Sequence, residues 1–238
     1  MTASLAPQQP VLEIEDGSLV LGGRTLWHHL DLEVVPGEIV AVLGPNGSGK
    51  SSLLKVILGQ LRLARGTVRL LGGPLHRGDA RIGYIPQQRI MPPGVPLLGR
   101  DLVALGASGH RFGLPLISRA ERARVDELVD AVGASSYARR PVGLLSGGEQ
   151  QRLRAAQALA GRPRLLLADE PLLSLDTDAQ RLVSGLIDQE RRERGLAVIF
   201  VTHDLGPISP YVDRVLSFGD EAHVHPHHAV YDGDEVVA

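Results

Sequence analysis

The chain of 238 residues has a formal net charge of -2, with 43% hydrophobic and 22% charged residues. That balance suits a sizeable buried core, and excludes a disordered chain or one drawn as a whole to nucleic acid or anionic lipid. It contains no cysteine, which excludes disulfides and thiolate metal sites and leads us to expect a cytosolic setting.

Residues 1–10 lack the basic-then-apolar layout of a secretory signal and read as a loose tail. Residues 11–14 and 19–21 are predicted as short strands, and Leu30, Leu32 and Val34 alternate with polar neighbours as in a half-buried strand. Pro36-Gly37 marks a turn before a buried strand over 39–43, a glycine-rich loop and a helix over about 51–58. Residues 67–71 and 81–84 are further strand candidates. Strand patterns then stop. Pro92, Pro93 and Pro96 mark an irregular stretch, and 118–132 carries helical spacing, with Val125, Leu128, Val129 and Val132 on one face. Ser118 and Glu121 form a capping box for that helix and Gly133 ends it. Alternation of strand and helix resumes with a strand over 165–168, a helix over about 178–191 and a strand over Ala197–Val201. The simplest reading is an α/β core, 1–86 and 161–238, that carries a β subdomain and is interrupted by a helical subdomain, 87–160.

Gly44-Pro45-Asn46-Gly47-Ser48-Gly49-Lys50-Ser51 fits the phosphate-binding loop pattern, between a strand and a helix as its mechanism requires. Glycines let successive backbone N–H groups wrap phosphates, and the helix N-terminus adds partial positive charge. Lys50 is expected to reach the β- and γ-phosphates of ATP, with Ser52 following in the same site, and Ser51 to ligate Mg²⁺. A glycine-rich turn with an incidental lysine is the plain alternative, and the flanking strand and helix count against it. Leu165-Leu166-Leu167-Ala168-Asp169-Glu170 is a buried strand ending in two carboxylates, where ligands gather in parallel sheets. Asp169 is expected to hold Mg²⁺ and Glu170 to polarise the attacking water. Alone, such a run marks only a strand end; beside the glycine loop it points to hydrolysis.

The segment Leu145-Ser146-Gly147-Gly148-Glu149-Gln150-Gln151-Arg152 lies between these motifs. Ser146 and Glu149 form a capping box, and Gly147 and Gly148 let backbone approach an anion. Here the sequence resembles the ABC (ATP-binding cassette) ATPase family, whose signature begins Leu-Ser-Gly-Gly-Gln/Glu, and the resemblance runs from about residue 11 to 216. It implies a P-loop NTPase (RecA-like) α/β core with an antiparallel β subdomain and an inserted helical subdomain. It also implies a dimer that sandwiches two ATP molecules, with Ser146, Gly147, Gly148 and Glu149 facing the phosphate loop of a second copy or homologous ATPase subunit. Gln87, after Tyr84-Ile85-Pro86, matches the glutamine loop that senses the γ-phosphate, joins the Mg²⁺ site and flexes against a membrane partner; the adjacent Gln88 leaves the register open by one. Ser174-Leu175-Asp176 matches the loop crossing to the other protomer, and His203, in Thr202-His203-Asp204, matches the switch histidine.

One departure is Leu21, which aligns with the aromatic that stacks on adenine in the family; Trp27 falls several residues away. Leu21 is expected to cover the base by apolar contact alone.

The resemblance implies the motor of a transporter with integral membrane permease subunits, an extracytoplasmic substrate-binding protein and no nucleic acid, on the cytoplasmic face of the membrane. Residues 141–145, 171–176 and 201–213 resemble the manganese/zinc uptake branch. A non-transport ABC ATPase serving a soluble assembly or DNA-repair partner is the alternative. A catalytically silent cassette is disfavoured by Lys50, Asp169, Glu170 and His203. Near the end, His223, His225, His227 and His228 with Asp232 and Asp234 read either as a metal-sensing cluster or as an exposed loop interrupted by Pro226; His28 and His29 carry less weight.

Overall fold

The computed structural model describes residues 9–87, 90–109 and 118–218, and the backbone of 222–226. Gln88, His227, His228, Asp232 and Asp234 lie outside the described residues, and His223 and His225 are described as backbone alone.

Two sheets form the framework. Strands β1 (Leu12–Leu21), β2 (Arg24–Val34), β4 (Arg65–Leu70) and β5 (Gly73–Pro74) make an antiparallel sheet in the order β2-β1-β4-β5. The second sheet contains β3 (Ile39–Leu43), β6 (Ile82–Ile85), β7 (Leu165–Asp169), β8 (Ala197–Val201), β9 (Arg214–Phe218) and β10 (Ala222–Pro226), in the order β10-β9-β3-β8-β7-β6. Its strands are parallel except for β10. β7 and β8 are buried along their whole length, as expected of strands covered on both faces.

The period of two along these strands divides the interior into two cores. Ile39, Ala41, Leu166, Ala168, Val198 and Phe200 join a cluster with helices α2 (Gly99–Ser108), α3 (Arg119–Ala131), α4 (Gly147–Ala160) and α5 (Thr177–Arg194). Val40, Val42, Leu165, Leu167, Ile199 and Val201 face the other way, onto α1 (Lys50–Ile57) and the antiparallel sheet. A phosphate-loop sandwich with an antiparallel sheet against one face is therefore the observed architecture. Between the neighbouring strands β6 and β7 the chain passes through α2, α3 and α4.

Capping boxes start both α3, at Ser118 and Glu121, and α4, at Ser146 and Glu149. α3 ends in a turn with Gly133 at φ 65°, and α5 ends on Gly195, also at φ 65°. Arg152 on α4 donates to the carbonyls of Val132 and Gly133 while lying over the Tyr137 ring, 5.2 Å from its centroid. The signature helix thereby supplies a cationic cap to the C-terminus of α3.

Several elements differ from the sequence reading. Residues 12–14 and 19–21 belong to one strand, which starts one residue later than expected and whose ladder is broken by a bulge with Asp16 at φ 48°. Helix α2 falls in the stretch expected to be irregular. It has no side-chain cap, and its interior Gly106 lets it approach α4 so closely that a Cβ there would stand 1.9 Å from the Gln157 carbonyl oxygen. The glycine that obscures this helix in the sequence is what packs it.

Candidate functional site

The loop between β3 and α1 turns at three glycines with positive φ: Gly44 at 147°, Gly47 at 83° and Gly49 at 104°. No side chain caps α1 at Gly49, so the N–H groups of its first turn take no partner from a capping side chain. Lys50 is 8% exposed and donates from Nζ to the Gly44 and Pro45 carbonyls at 2.6 and 2.8 Å. Burial pushes its ammonium below the usual lysine range, opposed by the nearby carboxylates of Glu170 and Asp169.

Across the loop stand the carboxyl ends of β7 and β8. Asp169 is 6% exposed, and Ser51 Oγ lies 3.5 Å from its Oδ1, at the limit of a hydrogen bond. Burial raises the Asp169 pKa; the Ser51 hydroxyl and Lys50 pull it down, while Glu170 adds to the rise. Glu170 leaves the strand with φ 48°, an uncommon conformation for a side chain without local compensation, and its N–H donates to the Val201 carbonyl at 2.9 Å. That kink brings its carboxylate between two other predicted residues. Gln87 Nε2 donates to Glu170 Oε2 at 3.3 Å, and His203 Nδ1 lies 3.6 Å from Oε1. Asn46, Gly47, Gly49, Lys50, Ser51, Ser52, Gln87, Asp169 and Glu170 line a cavity of about 210 Å³, with Leu26 and Val201.

Leu21 is not among those residues. It sits at the half-exposed end of β1, paired with Arg24, and the apolar residues at the cavity are Leu26 and Val201. Ser146, Gly147, Gly148 and Glu149 do not line the cavity either; they open α4, with Ser146 N–H donating to Glu149 at 2.7 Å. A Cβ on Gly148 would lie 3.4 Å from the Ser174 carbonyl oxygen, so the signature turn rests on the 174–176 loop of its own chain. Asp176 caps α5 by accepting from the Ala179 N–H at 2.8 Å. Among the described residues no group of three or more His, Cys, Asp or Glu side chains is placed to hold a metal ion.

Sequence reasoning missed two residues that connect these parts. Gln151 on α4 is 1% exposed, and its Nε2 donates to the Pro86 carbonyl at 3.4 Å and the Pro171 carbonyl at 3.3 Å. Those prolines adjoin Gln87 and Glu170 respectively. Gln150, equally buried, accepts from the Met91 N–H at 2.8 Å and donates to the Leu145 carbonyl at 3.1 Å. Two adjacent glutamines on a helix read as a solvated face; their burial depends on partners 5 to 65 residues away.

Comparison with known proteins agrees with this geometry. The profile of the family described as ABC transporter matches residues 27–173. The manganese transport system ATP-binding protein MntB of Halalkalibacterium halodurans is 34% identical over 215 residues, 89% of this chain and 84% of that protein. The zinc import ATP-binding protein ZnuC of Paramagnetospirillum magneticum is 39% identical over 206 residues, 87% of this chain and 72% of its own length. Among solved structures, a dimeric ATP-binding cassette in a post-hydrolysis state with ADP and Pi superposes with a TM-score of 0.77 at 26% identity, covering 91% of this chain and 98% of that one. An inward-facing transporter of metal-chelate type gives a TM-score of 0.78 at 25% identity, covering 93% of this chain and 85% of that one. With the phosphate loop, the paired carboxylates and the signature helix in one fold, this chain belongs to the ABC transporter family and is an ATP-binding, ATP-hydrolysing subunit.

Proposed function

We propose that this chain is the motor of a metal-ion importer of the manganese/zinc class, hydrolysing ATP between itself and a second copy or a homologous subunit to drive a membrane permease. The observation that carries the hydrolytic reading is the kinked Glu170, held within hydrogen-bonding reach of Gln87 and beside His203 at the mouth of the phosphate loop. The names of its relatives support the cargo class.

In this reading backbone N–H groups within residues 46–51 hold the phosphates, and Lys50 exchanges its two loop carbonyls for β- and γ-phosphate oxygens. Glu170 accepts a proton from the attacking water, oriented by Gln87, and His203 contacts the γ-phosphate from the exposed side. Ser51, Asp169 and Gln87 offer the oxygen donors that suit Mg²⁺, and the buried Asp169 carboxylate gains most from a cation. Mg²⁺, when bound, neutralises charge on the phosphate oxygens.

Because Ser146, Gly147, Gly148 and Glu149 lie outside their own chain's cavity, they serve the site of a second copy or a homologous subunit, closing it over ATP. The dimeric post-hydrolysis relative supports that arrangement. Residues 87–160 act as the helical subdomain, with 1–86 and 161–238 as the core. No helix among the described residues is long and apolar enough to cross a membrane. The transport systems named for its relatives support a chain that works from the cytoplasmic face through permease subunits, fed by an extracytoplasmic binding protein.

The test is uptake of labelled Mn²⁺, Zn²⁺ and Fe²⁺ by cells lacking the chain, complemented with wild type or Glu170→Gln. Recovery of manganese or zinc uptake with wild type alone is expected. Recovery of none, with ATP hydrolysis intact in the purified protein, would overturn the cargo and leave the ATPase.

A further inference from the structure

The chain's one tryptophan is placed where a nucleotide-dependent change must pass. Trp27 lies on β2, 3% exposed, beneath the phosphate loop. A Cβ on Gly49 would stand 2.9 Å from Trp27 Cδ1 and 3.1 Å from Nε1, so the loop's last glycine sits directly on the pyrrole edge of the indole. The other end of the ring reaches β1, where a Cβ on Gly17 would lie 3.4 Å from Cζ3. Trp27 also meets Phe218 edge to face, with centroids 6.4 Å apart and an interplanar angle of 81°. Phe218 in turn supports the loop's first glycine: a Cβ on Gly44 would stand 2.5 Å from the Phe218 carbonyl oxygen and 2.9 Å from its Cβ. The loop's last glycine therefore rests on the indole, and its first on the backbone and Cβ of the residue whose ring the indole meets.

Two further facts argue that this floor does more than fill space. Trp27 Nε1 is buried without a hydrogen-bond partner, and so is Ser48 Oγ in the loop itself. Unpaired buried donors are costly, and they are uncommon in a core that merely packs. A wholly apolar side chain would carry no such cost. The aliphatic neighbour Leu26, not Trp27, lines the cavity, so the indole touches the loop's backbone from below and does not present its face to a base.

We propose that Trp27 is a positioning residue: the Trp27–Phe218 pair holds residues 44–49 in the curvature that receives phosphates, and the indole environment changes when the phosphates arrive. The inference rests on the nucleotide reading of this loop. It specifies that the polyphosphate, and not the base, is what the indole senses.

The experiment is a titration of the purified full-length chain with ADP, pyrophosphate and adenosine, following tryptophan emission and, in parallel, heat of binding. A saturable emission change is expected with ADP and with pyrophosphate, with midpoints equal to the calorimetric Kd, and none with adenosine. Trp27→Leu is expected to weaken ADP about tenfold, equivalent to about 1.4 kcal/mol, and Trp27→Phe to restore most of that loss. Unchanged emission at saturating, calorimetrically verified ADP would overturn the proposal. So would a response to adenosine but not pyrophosphate, or Trp27→Leu that binds ADP as wild type does. Absence of any binding heat with ADP would instead overturn the nucleotide site beneath the inference.

Discussion

The strongest prediction outside the nucleotide site concerns the ion pair between the inserted helices and the core. Arg124 on α3 donates from Nη2 to Glu190 Oε1 on α5. The Arg124 side chain is 13% exposed and that of Glu190 4%, so both charges are largely withdrawn from water. Removing one partner of a buried pair typically costs about 3–5 kcal/mol, because the other charge is left in low dielectric. Arg194, 3.6 Å from Glu190 Oε2 and a third exposed, offsets part of this, of order 1 kcal/mol as an exposed pair does. Arg124→Ala is therefore expected to destabilise by about 2–4 kcal/mol, which in a domain of this size lowers Tm by about 5–15 °C. Urea unfolding gives the free energy directly. The double variant Arg124→Met with Glu190→Leu removes both charges at similar volume and should recover most of the loss. Arg124→Ala with stability within about 0.5 kcal/mol of wild type, the usual range of a surface change, would refute the reasoning. So would a double variant as unstable as the two single changes added.

Glu170→Gln keeps the side chain's shape and its hydrogen bond with Gln87 while removing the proposed base. Phosphate release should fall about 10²–10⁴-fold with ADP affinity retained, and turnover at the wild-type rate would remove Glu170 from that role. Asp169→Asn should move stability and function in opposite directions. Burial raises the Asp169 pKa in the fold, so the native state binds the extra proton between the unfolded and folded pKa values. Stability therefore falls as pH rises through that window, and above it the full penalty of the buried carboxylate is present. At neutral pH without nucleotide, Asp169→Asn should melt higher than wild type; with Mg²⁺ and ADP it should gain less than wild type does. A lower melting temperature without nucleotide would contradict the assignment.

What could be read from sequence was whatever is encoded between near neighbours. The loop from Gly44 to Ser51 is contiguous, and its chemistry follows from backbone freedom and one helix end. The capping boxes at Ser118/Glu121 and Ser146/Glu149 are likewise local, and both form as expected. Long-range matching was not legible. Helix α2 lacks a cap and carries Gly106 for contact with α4, so propensity and boundary signals both pointed away from a helix. Strand β9 carries Ser217 within a five-residue run, and only its parallel register with β3 identifies it. Trp27 looked misplaced because the comparison was with a base-stacking position; its partners, Gly49 and Phe218, are 22 and 191 residues away.

The unfavourable features of this molecule gather where the two halves of the site meet. Asp169 and Lys50 are buried charges, Glu170 has an uncommon backbone conformation, and Gln151 Oε1 is buried without a partner. None of these is what a sheet selected for stability alone would retain. Asp169, Glu170 and Gln151 lie at the β7 end or its contact with α4, and Lys50 stands across from the two carboxylates in the phosphate loop. Gln151 makes that contact consequential. Its one amide group spans the carbonyls that adjoin Gln87 and Glu170, so a displacement of α4 by more than a fraction of an ångström must break one of two already long hydrogen bonds. Gln151 thereby ties the helix that starts with the signature turn to both segments that carry Gln87 and Glu170.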